Sequence, residues 1–355
     1  MYSYKYSFFI CVFLLLNFCC RAKGKKDIVY KEVFAIDFEK LGFSDFAPRA
    51  LNTGLIWGTY IYFTNHSGNV IYTYNIKTNT VEDKLNYVLD SMRYTSRPFF
   101  VDSNRNVYCF TNTNATLSIV NQLGSIKSVP LTGIYNNEMR NRAQGVISTV
   151  ATNKGMVIIN LFSRYNAETK STYFDYMSKL PLFAMYTYEG DKKDVIPVYT
   201  SLPEKDTHRL TSFFHVFDYD KYTDNIYYQH LCSNTIFRYN LSSKQQKNIN
   251  ITGSQYNIQP QWYNPKDELE EEVMLRQNTG SYLYVDGNKE LIYRYIKVNQ
   301  EEGSTFIFQV ISFKGKVLAE KNIGQQASYM IRYEDGLYYC VKEENKMFFY
   351  KIELL

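Results

Sequence analysis

The chain is poor in the residues that mark several protein classes. Of its 355 residues only 8 are Pro and 17 are Gly, too few for a collagenous, linker-like or disordered chain. It has 6 Cys, and Cys11, Cys19 and Cys20 all crowd the amino terminus. The other three, Cys109, Cys232 and Cys340, are odd in number and far apart, so they form no disulfide framework and read as buried strand thiols. No CxxC, His-x-His or His-Glu-x-x-His occurs among the cysteines and the 4 His, which removes the usual zinc signatures. Gly-x-Ser-x-Gly, a phosphate loop and a dinucleotide fingerprint are also missing. No metal and no cofactor is therefore expected. Net charge is lacking too. Five of the 40 basic residues (Lys5, Arg21, Lys23, Lys25 and Lys26) lie in residues 1–26, which hold no acid. The remaining 35 face 35 acidic residues. A neutral folded part gives no electrostatic case for nucleic acid.

Long apolar runs are absent as well. The longest, Phe8–Phe18 (FFICVFLLLNF), falls short of the roughly 20 residues that span a bilayer. Behind Lys5 and ahead of the small residues Cys19, Cys20, Ala22 and Gly24, it reads as the apolar core of an export signal. Residues 1–26 are assigned to this signal and 27–355 to one folded domain. Two processing routes fit. A type I peptidase would cut after Ala22 or Gly24, whereas a lipoprotein peptidase would cut before Cys20 or Cys19 and leave a lipid-anchored cysteine.

What the chain has in quantity is aromatic residues, with 34 Tyr and 24 Phe, which favour half-buried pleated surfaces. Tyr60–Asn75 (YIYFTNHSGNVIYTYN) returns without a gap at Asn225–Asn240 (NIYYQHLCSNTIFRYN). Each copy is two alternating runs around a small-polar turn, the pattern of a β-hairpin. Asn106–Asn121 and Gly336–Lys351 fit the same template. Tyr62, Tyr227 and Tyr338 occupy one column of it. A hairpin unit that recurs, each copy too small to bury its own apolar face, marks a repeat architecture.

Taken in order, the units fall near 55–85, 97–131, 145–200, 212–251, 281–323 and 328–355. The third unit is the least regular, with strands expected at Val146–Thr152, Met156–Phe162, Phe183–Tyr188 and Val195–Tyr199. A first strand is expected at Phe213–Phe217 in the fourth unit and a widened hairpin at Val298–Ser304 in the fifth. A helix is expected from Pro265, behind an Asn264 cap, to about Gln277. The last unit has only three strands, and Ile28–Asp37 is a strand without a neighbour. Pairing the two would close a ring and hide its edges. The fold class is therefore all-β, a six-bladed β-propeller closed by strand 28–37. The alternative is seven blades, with the long third region counted as two.

The segments DNIYYQHLCSNTIFRYN (Asp224–Asn240), YLYVDGNKELIYRYI (Tyr282–Ile296), FQVISFKGKVLAEKNIG (Phe308–Gly324) and YMIRYEDGLYYCVKEENKMFFYKIEL (Tyr329–Leu354), with the leader, resemble a Bacteroidetes family of exported six-bladed β-propeller proteins whose function is not established. Many members carry a lipoprotein signal. The resemblance implies fold and compartment, with no catalytic residues to carry over.

The acids of Asp218–Asp224 (DYDKYTD) invite a calcium loop, but Tyr222, Thr223 and Gln229 stand where such a loop wants an oxygen ligand, a glycine and a glutamate. Asp102–Asn106, Asp286–Asn288 and Glu334–Gly336 occupy the same place in their units, so turn chemistry is the reading. Arg93, Arg97, Arg140 and Arg142 cluster in the connections before the second and third units, where they could take a carboxylate or a sugar acid. His215 falls on a first, central strand whose side chains can face the axial channel. Trp262 suits an exposed aromatic surface for a glycan or protein. The function expected is non-enzymatic binding or scaffolding at the bacterial cell envelope, on the outer membrane or in the periplasm. Partners would be an envelope protein or a glycan, with the membrane reached through Cys20 or Cys19. The alternative is a glycan-active lyase or hydrolase with its site in the funnel. A secreted propeller of insect type is a third reading, since Asn65, Asn114, Asn240 and Asn250 lie in glycosylation triplets.

Overall fold

The computed structural model describes residues 26–39, 55–64, 70–86, 97–111, 116–130, 149–152, 156–160, 183–189, 192–196, 209–210, 215–230, 233–256, 258, 262–263, 279–300, 303–324, 329–333, 336–343 and 346–355. These residues hold strands and turns and no helix. The expected helix at 265–277 lies outside the described residues.

The strands form six four-stranded antiparallel sheets and one two-stranded sheet. β1 (Ile28–Asp37) stands apart in sequence. The first sheet is β2 (Leu55–Trp57), β3 (Tyr60–Thr64), β4 (Val70–Asn75) and β5 (Thr80–Asn86). The second is β6 (Arg97–Val101), β7 (Val107–Thr111), β8 (Thr116–Val120) and β9 (Ile126–Pro130). The third is β10 (Thr149–Ala151), β11 (Met156–Asn160), β12 (Phe183–Thr187) and β13 (Lys192–Ile196). After the short β14 (Arg209–Leu210) comes the fourth: β15 (His215–Asp220), β16 (Asn225–His230), β17 (Thr235–Asn240) and β18 (Gln246–Asn250). After β19 (Trp262–Tyr263) comes the fifth: β20 (Thr279–Asp286), β21 (Leu291–Gln300), β22 (Gly303–Ser312) and β23 (Val317–Gly324). The sixth is β24 (Tyr329–Tyr333), β25 (Gly336–Glu343) and β26 (Lys346–Leu354). β1 is its fourth strand and pairs with β26 from Ile28↔Leu354 to Asp37↔Lys346.

Period-2 alternation explains why these segments are strands, and burial on both faces explains why the alternation is so apolar. All six residues of β4 are buried, as are all six of β16. Neighbouring sheets pack face to face through apolar seams, most of them rich in aromatic residues. Tyr62 and Ile71 of the first sheet meet Val101, Val107 and Cys109 of the second. Tyr108 and Phe110 meet Ala184 and Tyr186 of the third. Phe183 and Met185 meet Phe217 and Tyr228 of the fourth. Tyr227 and Ile236 meet Leu283, Ile292 and Ile311 of the fifth. Tyr293 and Phe308 meet Tyr339, Ile352 and Ile28 of the sixth. Ile36, Phe349 and Tyr338 then meet Ile61, Phe63 and Tyr72 of the first. Full burial of one such side chain is worth about 1.5–3 kcal/mol, so each seam outweighs any surface ion pair. The fold is an all-β propeller.

Several sequence expectations shift by a few residues. β13 starts at Lys192 and ends at Ile196, not at 195–199, with a bulge between Met185 and Tyr186 opposite it. β15 runs on through Asp220 instead of ending at Phe217, so Asp218 lies within the strand and Asp220 ends it, its carboxylate holding the turn that follows. The hairpin at Val298–Ser304 is not widened. Its pairing continues to Gln300↔Gly303, with Ser304 Oγ donating to Asn299 Oδ1 at 2.6 Å. Pro98 is accommodated because β6 is an edge strand with a bulge at Pro98/Phe100, one of the few places a ladder tolerates proline.

Candidate functional site

The two ends of the sheets differ in how the chain turns. At one end the connections are tight, from 58–59 up to 102–106 or 241–245. Their backbones are held by short polar side chains. Asp102 Oδ1 accepts from the N–H groups of Asn104 and Asn106, each at 2.9 Å. Asp220 accepts from Tyr222 N–H at 2.9 Å and from the Thr223 hydroxyl. Asp224, Asn79 and Arg105 take left-handed conformations, with φ of 54°, 58° and 60°. The acids that invited a calcium loop are thus spent on turns and on the neighbouring sheet, where Asp218 Oδ2 accepts from Val285 N–H at 2.7 Å. Among the described residues no group of three or more His, Cys, Asp or Glu is placed to hold a metal ion.

At the other end lie the starts of the first strands and the connections 38–54, 87–96, 131–148, 161–182, 197–214 and 251–278. The first strands are the inner ones: β24 touches β2, β2 touches β6, β6 touches β10 and β15 touches β20. Loops carried on such a rigid frame are where binding groups are usually placed. Two of the long connections are tied together by the two-stranded sheet, in which Arg209 pairs with Tyr263 and Leu210 with Trp262.

The residues singled out from sequence distribute accordingly. Arg97 opens β6, His215 opens β15 opposite His230, and Trp262 lies in β19, all at the long-connection end. Their side chains lie outside the described residues. So do Arg93, Arg140, Arg142, Cys19 and Cys20 altogether, and Cys232 with them. Cys109 and Cys340 are buried free thiols, as read. Tyr62, Tyr227 and Tyr338 are buried in one structural column.

Beneath this end, between the fourth and fifth sheets, is a buried polar network that the sequence reading passed over. Arg294 is 0% exposed. Its Nε donates to Gln309 Oε1 at 2.5 Å and its Nη2 to Asn234 Oδ1 at 2.8 Å. Gln309 Nε2 donates to Ser254 Oγ at 2.6 Å and to the Glu320 carboxylate. Ser254 Oγ donates to Glu320 Oε2 at 2.7 Å, and Gln255 N–H reaches Oε1 at 3.2 Å. Burial lowers the Arg294 guanidinium to about 9, opposed by the charge of Glu320, so it stays a cation at neutral pH. The network fastens the β16–β17 turn and the 251–256 segment to the fifth sheet. A signal for it was in the sequence. Arg294 and Gln309 interrupt the inward apolar registers Ile292–Ile296 and Ile307–Ile311, and Gln229 interrupts that of Tyr227. His230 is also 0% exposed, edge-on to Tyr228 and Phe237 with ring centroids 6.0 and 5.8 Å away. Burial lowers it to about 4, so it is neutral at pH 7.

No family model matches the chain, and no curated protein does. Solved structures do. A member of the DUF4221 family from Bacteroides vulgatus matches with a TM-score of 0.65 at 13% identity, over 94% of this chain and 99% of that one. A Bacteroides fragilis protein assigned as exported matches with a TM-score of 0.51 at 11% identity, over 94% and 96%. The virginiamycin B lyase of Staphylococcus aureus matches at 0.45 and 12% identity, over 92% and 99%, too distant to carry chemistry across. At these identities the likeness is one of fold.

Proposed function

We propose that the chain is an exported six-bladed β-propeller, with residues 27–355 as one domain. A lipidated Cys20 or Cys19 holds it at a bacterial membrane, and it works as a non-enzymatic binding or scaffolding protein of the cell envelope. One observation carries the binding reading. Short turns close one end of the sheets, while the other gathers the long connections and the ribbon that ties two of them. Concave mouths of closed β-structures bordered by such loops are where ligands usually sit. Six four-stranded sheets and the six seams between them support the blade count. The leader supports export, and a protein of similar fold assigned as exported is in keeping with it.

The ligand is an envelope protein or a glycan, met by Arg93, Arg97, Arg140 and Arg142 as carboxylate or sugar-acid contacts and by Trp262 as a stacking surface. His215 opens the inner strand below them. The test is site-specific photo-crosslinking in the host, with the probe at Arg97, Arg142 or Trp262 and, as a control, at Leu123 or Lys289 in the short turns. Adducts confined to the first group support the reading, and adducts confined to the second overturn it. A glycan that is cleaved instead of retained replaces it with the enzyme alternative. Intact mass of the mature protein decides the anchor. A diacyl- or triacyl-cysteine terminus supports lipidation, and a free terminus near Lys23 or Lys25 overturns it.

A further inference from the structure

The seam between the fourth and fifth sheets contains a polar layer enclosed by apolar ones. Tyr227, Ile292 and Ile311 lie on one side of it, and Ile258, Ile296 and Ile307 on the other. The layer itself is Gln229, Arg294 and Gln309, each 0% exposed. Gln229 shares a face of β16 with Tyr227, and Arg294 shares a face of β21 with Ile292, because alternate strand residues point the same way. Both side chains reach the same turn from opposite sheets. Gln229 Nε2 donates to the Ser233 carbonyl at 2.5 Å, and Arg294 Nη2 to Asn234 Oδ1 at 2.8 Å.

Each side chain also keeps one atom with no hydrogen-bond partner among the described residues, and the two atoms are complementary. Arg294 Nη1 is a donor, and Gln229 Oε1 is an acceptor. A buried polar atom left in that state is destabilising, and a charged one more so. We propose that the seam is a binding site for one small neutral oxygen group that accepts from Arg294 Nη1 and donates to Gln229 Oε1. The chemistry is that of a hydroxyl, supplied by water or by an alcohol or sugar hydroxyl reaching in from the long-connection end. An anion would face Gln229 Oε1 and the nearby Glu320 carboxylate, and a cation would face the guanidinium, so both are disfavoured. The occupant links the β16–β17 turn to the fifth sheet and so stiffens the floor of the long-connection end. The inference stands independently of the binding role proposed above.

A crystal structure that resolves ordered water tests it, with the protein taken directly from the host and again after unfolding and refolding in ligand-free buffer. A single oxygen within hydrogen-bond distance of both atoms in both preparations supports the site and makes water the source. Extended density that is lost on refolding supports it with a ligand hydroxyl as the source. A direct bond between Nη1 and Oε1, or satisfaction of either by another protein group, overturns it. Gln229→Leu provides a second readout. Loss of the oxygen from Nη1 with a melting temperature lower by about 2–4 °C is expected, and an oxygen that stays in place at full occupancy overturns the proposal.

Discussion

Gly287, in the tight turn between β20 and β21, has no room for a side chain. A Cβ there would stand 1.9 Å from Asp220 Oδ1 and 2.3 Å from its Cγ. Asp220 is 2% exposed, and its two oxygens already accept from Tyr222 N–H and the Thr223 hydroxyl. Gly287→Ala therefore forces the carboxylate out of its place. A hydrogen bond to a charged group is worth about 1.5–3 kcal/mol, and the displaced carboxylate regains part of this from water at the sheet end. The expected net loss is about 2–4 kcal/mol. Urea unfolding of four proteins measures it: wild type, Gly287→Ala, Asp220→Ala and the double variant. With Asp220 gone the obstruction is gone, so Gly287→Ala should cost under about 1 kcal/mol in that background. The coupling energy should be about 2 kcal/mol, within the range seen for residues in contact. A Gly287→Ala protein as stable as wild type would refute the reasoning. So would one whose loss is unchanged by Asp220→Ala, which would place the strain in the turn backbone instead.

Three other outcomes follow from the same structure. Gly315 has φ 86° and its Cβ would lie 2.2 Å from the Asn250 carbonyl oxygen, a backbone atom, so Gly315→Ala should lose about 3 kcal/mol or more in urea unfolding. His230 is lowered to about 4 by burial against an unfolded value of about 6.5; between those values the unfolded chain binds a proton that the native one does not. Stability is thus unaffected above about pH 6.5 and falls towards pH 4, by up to about 3 kcal/mol from this residue. Comparing urea midpoints at neutral and acid pH should show wild type losing more than His230→Phe, and equal losses would assign the effect elsewhere. Deleting Ile28–Asp37 strips β26 of one of its two partners and removes Ile36 and Ile28 from two seams, so the melting temperature of the whole domain should drop sharply, and an unchanged melt would mean that the ring does not need this strand.

The hairpin units were legible because apolar alternation in this chain serves two packed faces at once. Ile28–Asp37 was placed to the residue, and the last unit was read as three strands, for that reason. The third unit was placed less well, because its turn chemistry (Tyr188, Glu189 and the bulge beside Met185) shifts the register by three residues. The Val298–Ser304 hairpin was misread because Asn299, Gln300 and Ser304 look like loop residues, whereas cross-strand pairing holds them extended. The ribbon of Arg209–Leu210 and Trp262–Tyr263 was missed altogether. Two residues show no period, and their pairing is fixed by the sheets on either side. The buried network was missed because Arg294 sits in a strand that reads well without it. A lone charge in an inward register deserves the question of what neutralises it, and here the answer lies partly on another sheet.

The union of β1 with β26 also sets an order of events. Ile28 meets Leu354, so β1, made early, waits for β26, made more than 300 residues later. Until then the sixth sheet has three strands and an open ladder, and the loop to be closed is almost the whole chain. Closing so long a loop is entropically unfavourable, and folds ruled by distant pairings form slowly. The sixth sheet is therefore completed only once β26 has been made, and β1 keeps an open ladder until then. Once locked, the two ends of this sheet lie side by side, with Leu355 N–H bonded to the Asp27 carbonyl at 3.0 Å. Pulled apart, these two ends would peel the β1–β26 ladder open from Ile28↔Leu354 towards Asp37↔Lys346, one pair at a time.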